Sequence, residues 1–188
     1  MAIISIKAIL PQTTASMQSS VFSVAISFLL FIIPFISSAE NTQQEISSSS
    51  IERGLAVYKK SECAFCHGWA GDGQGHPRSP GAAANLRSSV LDKVALTQII
   101  RCGVPGGVMP YHDRLAYRDN RCGVGAGSLS EKQLPQQGKN IKPADLDALL
   151  AYIMSSVQGM GSVTFAQCEK YFKTGSRNCL YLQSNTAP

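Results

Sequence analysis

The stretch Cys63-Ala64-Phe65-Cys66-His67 constrains this chain more than any other. On one helical turn, residues three apart lie on the same face. Two thiols placed so can add to the two vinyl groups along one edge of a porphyrin. The histidine after the second thiol then lies under the metal. This is the spacing of c-type haem attachment, and an imidazole is an axial ligand of haem iron. A Cys-x-x-Cys pair is also half of a zinc site. Zinc would need two more ligands from Cys102, Cys122, His76 or His112, and no second Cys-x-x-Cys or His-x-x-x-His occurs. A thioredoxin-type redox pair needs a preceding strand, whereas the run before Cys63 is patterned as a helix.

Such a haem is attached outside the cytoplasm, and the N-terminus reads accordingly. Val21 to Ile36 is an apolar run of 16 residues, and Ser37-Ser38-Ala39 follows with small side chains. This predicts a signal peptide over 1–39, cleaved after Ala39, and a bacterial periplasmic location. A membrane span needs about 20 apolar residues, so an uncleaved anchor is the less favoured alternative, and membrane attachment depends on it. Residues 40–49 read as a polar linker. Beyond Ala39 the chain carries 16 Lys and Arg against 12 Asp and Glu, a formal charge of +4. That excess is too small to imply a nucleic-acid partner.

Two cysteines assigned to haem leave Cys102, Cys122, Cys168 and Cys179. In an oxidising compartment these are expected to pair. Three connectivities exist; Cys102–Cys122 and Cys168–Cys179 are favoured because each closes a short loop. Ser49-x-x-Glu52 suggests a capping box, with Ile51, Leu55 and Tyr58 on one helical face. Gly54 on that helix implies a close crossing. The glycine-rich run 68–81 is a loop; it lacks the Lys-Ser/Thr of a phosphate cradle, and His76 in it is expected to face solvent. Asp92 caps a helix over 93–102, closed by Gly103. Residues 116–140 read as an inserted loop. Pro143 opens a last core helix with Leu146, Leu149, Leu150 and Ile153 buried, ending near Ser156. A short amphipathic turn follows at Phe165. No strand pattern is present, so the fold class is all-α.

Taken together, these residues resemble the class I monohaem cytochromes c over about residues 50–157. Gly54 and Tyr58 match the family's first helix. Cys63, Cys66 and His67 match its haem motif. Pro80 resembles the proline whose carbonyl accepts the proximal imidazole N–H, and Asn85-Leu86 the polar-leucine pair beside the haem. Met109-Pro110 matches the distal ligand and its proline. Leu146 to Ile153, with Tyr152, resembles the helix that crosses the first. The resemblance implies a helical domain wrapped around one covalent haem c, with an inserted loop and a C-terminal extension, 158–188, beyond the family core. That extension bears a faint likeness to tails on cytochromes that serve quinoprotein alcohol dehydrogenases.

A carrier needs a second axial ligand. Met109, Met154, Met160, His76 and His112 are the candidates, and Met109 is favoured with His112 its rival. Haem-binding residues are therefore Cys63, Cys66, His67 and Met109, with His67 and Met109 on the iron. A filled coordination sphere implies electron transfer without catalysis. The expected partners are redox proteins: a periplasmic dehydrogenase, of the quinoprotein (PQQ) kind, as donor, and an oxidase or another cytochrome as acceptor. A haem enzyme or gas sensor with a displaceable distal ligand is the alternative.

Overall fold

Serines 47–50 carry the start of the first helix. In a computed structural model, residues 47–124 and 127–183 are described. The expected signal segment and most of the linker lie outside them. Helix α1 (Ser48–Lys60) is capped by Ser47, whose hydroxyl accepts from the Ser50 amide at 3.2 Å. The expected cap was Ser49. In a run of four serines any one can serve, and the docking of Leu55 and Tyr58 into the core sets the register. After α1 comes a single turn of helix, α2 (Cys63–His67), and then the glycine-rich loop. Helix α3 (Lys93–Cys102) starts where expected, with the Asp92 carboxylate accepting from the Ala95 amide at 2.8 Å. It ends at Gly103, whose φ of 64° and ψ of −162° turn the chain sharply. Helix α4 (Pro143–Ser156) opens on its proline.

Helices α1 and α4 pack most extensively. A Cβ at Gly54 would overlap the Ala148 carbonyl and fall 2.6 Å from the Tyr152 Cβ, so only glycine permits this approach. Arg53 reaches Asp145 across the crossing at 2.7 Å. The rings of Tyr58 and Tyr152 meet below it, 5.6 Å between centroids. Leu55, Leu149, Leu150 and Ile153 fill the interface, with Leu96 and Ile100 of α3 against them.

The tail is more ordered than its sequence suggests. Helix α5 (Phe165–Phe172) has a full capping box between Thr164 and Gln167. A 3₁₀ turn, Arg177–Cys179, and a last turn of helix, α6 (Leu180–Gln183), follow. Cys168 and Cys179 are bonded, and with Leu182 they form a small second core that Trp69, Val163 and Phe165 join. Arg87 ties this tail to the domain. Its buried guanidinium donates to the carbonyls of Ala70, Met160, Gly161 and Ser162 and to the Gln167 side-chain oxygen. Among the described residues no strand forms; Tyr111 and Gln137 make one isolated bridge. The all-α expectation holds. No helix among the described residues is long and apolar enough to cross a membrane.

Candidate functional site

Helix α2 owes its position to the residues on either side. Glu62 enters it in the left-handed region, φ 63° and ψ 23°, and Gly68 leaves it at φ 79°. Such conformations reverse the chain within one residue, so one helical turn stands isolated after α1. The Tyr58 hydroxyl donates to the Gly68 carbonyl at 2.8 Å and fixes the exit. Cys63 and Cys66 remain unpaired thiols.

Both thiols and His67 border a cleft of about 420 Å³. Leu86, Leu96, Ile99, Ile100, Leu149 and Ile153 make most of its wall apolar. Clefts of this size and character hold cofactors. Burial pushes the Cys63 thiol up to about 12 and raises that of Cys66. Burial also lowers the His67 imidazole, against the opposing pull of a carbonyl, and so favours the neutral ring that a metal requires. That carbonyl belongs to Ala84, which accepts from His67 Nδ1 at 2.9 Å. The expected acceptor was Pro80. The loop runs four residues further before it passes the imidazole, and Pro80 is exposed. With Nδ1 committed, Nε2 keeps its lone pair for a ligand.

The loop after α3 brings Met109, Pro110 and His112 to the same cleft. It turns on Gly103, where a Cβ would come within 2.8 Å of the Tyr111 nitrogen. The Val104 amide closes the turn on the Met109 carbonyl at 3.1 Å. His112 is buried, and its Nδ1 donates to the Lys139 carbonyl at 2.7 Å. Met154 and Met160 are exposed and His76 is exposed in its loop, stacked on Phe65; none of the three borders the cleft.

Segment 113–141, which contains the expected inserted loop at 116–140, grips this loop. Gly106 and Tyr111 amides donate to the carbonyls of Gln133 and Gln136, and Gly138 and Ile141 amides donate back to Tyr111 and His112. Cys102 and Cys122 are bonded. Asp113 sits between Arg101, at 2.9 Å, and Arg121, at 3.0 Å. Burial alone would raise its carboxyl, but the Leu115 amide and the two guanidinium groups hold it at about 2. Sequence periodicity could not reveal these contacts, because they join main-chain groups of irregular segments.

The donor set speaks against zinc. Cys102 and Cys122 are consumed in their disulfide, and among the described residues no three His, Cys, Asp or Glu side chains cluster as metal ligands. No curated protein and no solved structure matches the chain. A family model described as cytochrome c matches residues 51–156, more than half of the 188. The two thiols of Cys63 and Cys66, the oriented imidazole and the crossing at Gly54 all fall inside that span, and so the chain belongs to the cytochrome c family, whose members carry electrons on haem c.

Proposed function

We propose that this chain is an exported single-electron carrier, with one haem bound covalently through Cys63 and Cys66 and ligated by His67 and Met109. The observation that carries this reading is that all four residues border one apolar cleft. When bound, haem supplies a one-electron ferric–ferrous couple. The chain's own residues do the rest. Ala84 orients the His67 ring through Nδ1. The leucines and isoleucines exclude water, and a thioether at Met109 favours the ferrous state, which suits the oxidising end of an electron-transfer chain. With His67 and Met109 both held on the iron, no position would remain for a substrate.

The apolar run Val21 to Ile36 in the sequence and two disulfides in the described residues support an exported, periplasmic setting. A quinoprotein dehydrogenase as donor, and an oxidase or another cytochrome as acceptor, fit a carrier of this kind with a disulfide-bonded tail. Partner encounters would be small and transient.

A second ligation is favoured by one observation: the Nδ1 of His112 is bound to a carbonyl just as that of His67 is, which leaves its Nε2 unprotonated. Bis-imidazole ligation would lower the potential relative to His/Met. One experiment separates the readings. The purified protein should begin near Glu40 and keep its haem through acid–acetone extraction. The ferric form should show the long-wavelength sulfur-to-iron band, and reduced wild type should not bind carbon monoxide. Met109→Ala should abolish the band and admit carbon monoxide. A band that survives Met109→Ala overturns the assignment of Met109. Wild type that binds carbon monoxide points to the sensor or enzyme alternative.

A further inference from the structure

A second cleft, of about 280 Å³, opens where the tail lies against α1 and α4. It shares no bordering residue with the cleft that holds Cys63 and His67. Leu55, Trp69 and Tyr171 supply apolar wall. Its polar groups are unusual in kind. Arg87, Lys170, the Tyr152 hydroxyl and the Trp69 indole are all hydrogen-bond donors, two of them cationic, and no Asp or Glu borders the cleft.

Three of these donors, the Tyr152 hydroxyl, the Trp69 indole N–H and the Lys170 ammonium, make no hydrogen bond to a described residue. No buried side-chain nitrogen or oxygen among the described residues lacks a partner, so these three are open to solvent at the cleft. Arg87 is 7 % exposed. Its oxygen partners are four main-chain carbonyls and one amide, so its charge has no counter-ion. A buried charge without an opposite one is costly. Donors, uncompensated positive charge and an apolar wall in one cavity describe the complement of an anion with an apolar body.

We propose that this cleft binds a small organic carboxylate on a compact apolar framework. One carboxylate oxygen accepts from the Tyr152 hydroxyl and the other faces the cationic side of the cleft, formed by Arg87 and Lys170. The framework packs on Leu55, Trp69 and Tyr171. Charge-assisted hydrogen bonds of this kind are about twice as strong as neutral ones. The apolar wall selects against inorganic oxyanions, which would leave it in contact with hydration water. The site is independent of the electron-carrier reading. It nonetheless adjoins the haem cleft, because the Tyr152 ring meets Tyr58, which borders that cleft.

The test uses the haem-loaded mature protein, labelled with ¹⁵N. Trp69 is the sole tryptophan, so one indole N–H resonance reports the site. Sodium benzoate, inorganic phosphate and neutral benzyl alcohol are titrated at constant ionic strength. Benzoate should move the indole signal saturably, and the other two should bind at least about tenfold more weakly. Tyr152→Phe keeps the ring and removes the hydroxyl; it should weaken benzoate by about five- to tenfold. Lys170→Gln alters an exposed side chain and keeps the fold, and it should weaken benzoate by a few-fold. No saturable shift with benzoate overturns the site. Equal binding of benzyl alcohol overturns the anion, equal binding of phosphate overturns the apolar framework, and unchanged affinity in both variants overturns the residue assignment.

Discussion

Two imidazoles border one cleft, and each gives its Nδ1 proton to a main-chain carbonyl. Their roles diverge through their neighbours. His67 follows Cys63 and Cys66 on a helical turn that Tyr58 braces from below. The ring of His112 presses on Gly138, where a Cβ would lie 2.6 Å from Cε1. His112 thus fastens the loop that carries Met109 to the segment around Lys139. His112→Ala should destabilise the ferric protein by about 1–3 kcal/mol, because it orphans the Lys139 carbonyl and leaves a void. Urea denaturation measures the loss. The sulfur-to-iron band should persist in native buffer; a wild-type protein without that band, whose six-coordinate spectrum is lost in His112→Ala, would make His112 the ligand.

The end of α3 and the 113–141 segment together hold the Met109 loop, through a ladder of main-chain hydrogen bonds, a disulfide and the Asp113 cluster. The Asp113 carboxyl sits at about 2, below its ordinary 3.8. A depressed folded value adds stability that is complete above the ordinary value and vanishes as pH falls through the folded one. Stability should therefore decline between about pH 4 and pH 2, and Asp113→Asn should be less stable at neutral pH and flatter over that window, as read by thermal denaturation. The Cys102–Cys122 bond closes a separation of 20 residues. Replacing both cysteines by serine should cost about 2–4 kcal/mol. It should also quicken carbon monoxide binding to the reduced protein, since the Met109 loop loses its tether. Carbon monoxide kinetics unchanged from wild type would show that the hydrogen bonds alone hold Met109.

At the scale of the whole molecule, Arg87 joins the domain to its tail. It follows Leu86 of the haem cleft in sequence, but its side chain turns to the carbonyls of 160–162. Arg87→Met should lower stability by about 3 kcal/mol, because several buried carbonyls lose their donor at once. Chemical denaturation of the haem-loaded protein reads this, and the visible spectrum should stay as in wild type. A spectrum altered in Arg87→Met would mean that the tail shapes the haem cleft directly.

Local chemistry made much of this legible in advance. Cys63, Cys66 and His67 had to share a helical turn, Asp92 and Pro143 had to start helices, and Gly54 had to mark a crossing, because each depends on spacing or on a single residue's backbone preference. The cysteine pairings were legible too, since short loops limit which thiols can meet. The rest depended on contacts between irregular segments distant in sequence. Ala84 in place of Pro80, Ser47 in place of Ser49, and the grip of 113–141 on Met109 were settled by where the chain happens to pass, which no periodicity records. Arg87 shows the same limit most plainly. A lone arginine between Leu86 and Ser88 reads as solvated surface, and only the return of the tail, some seventy residues later, supplies the carbonyls that bury it.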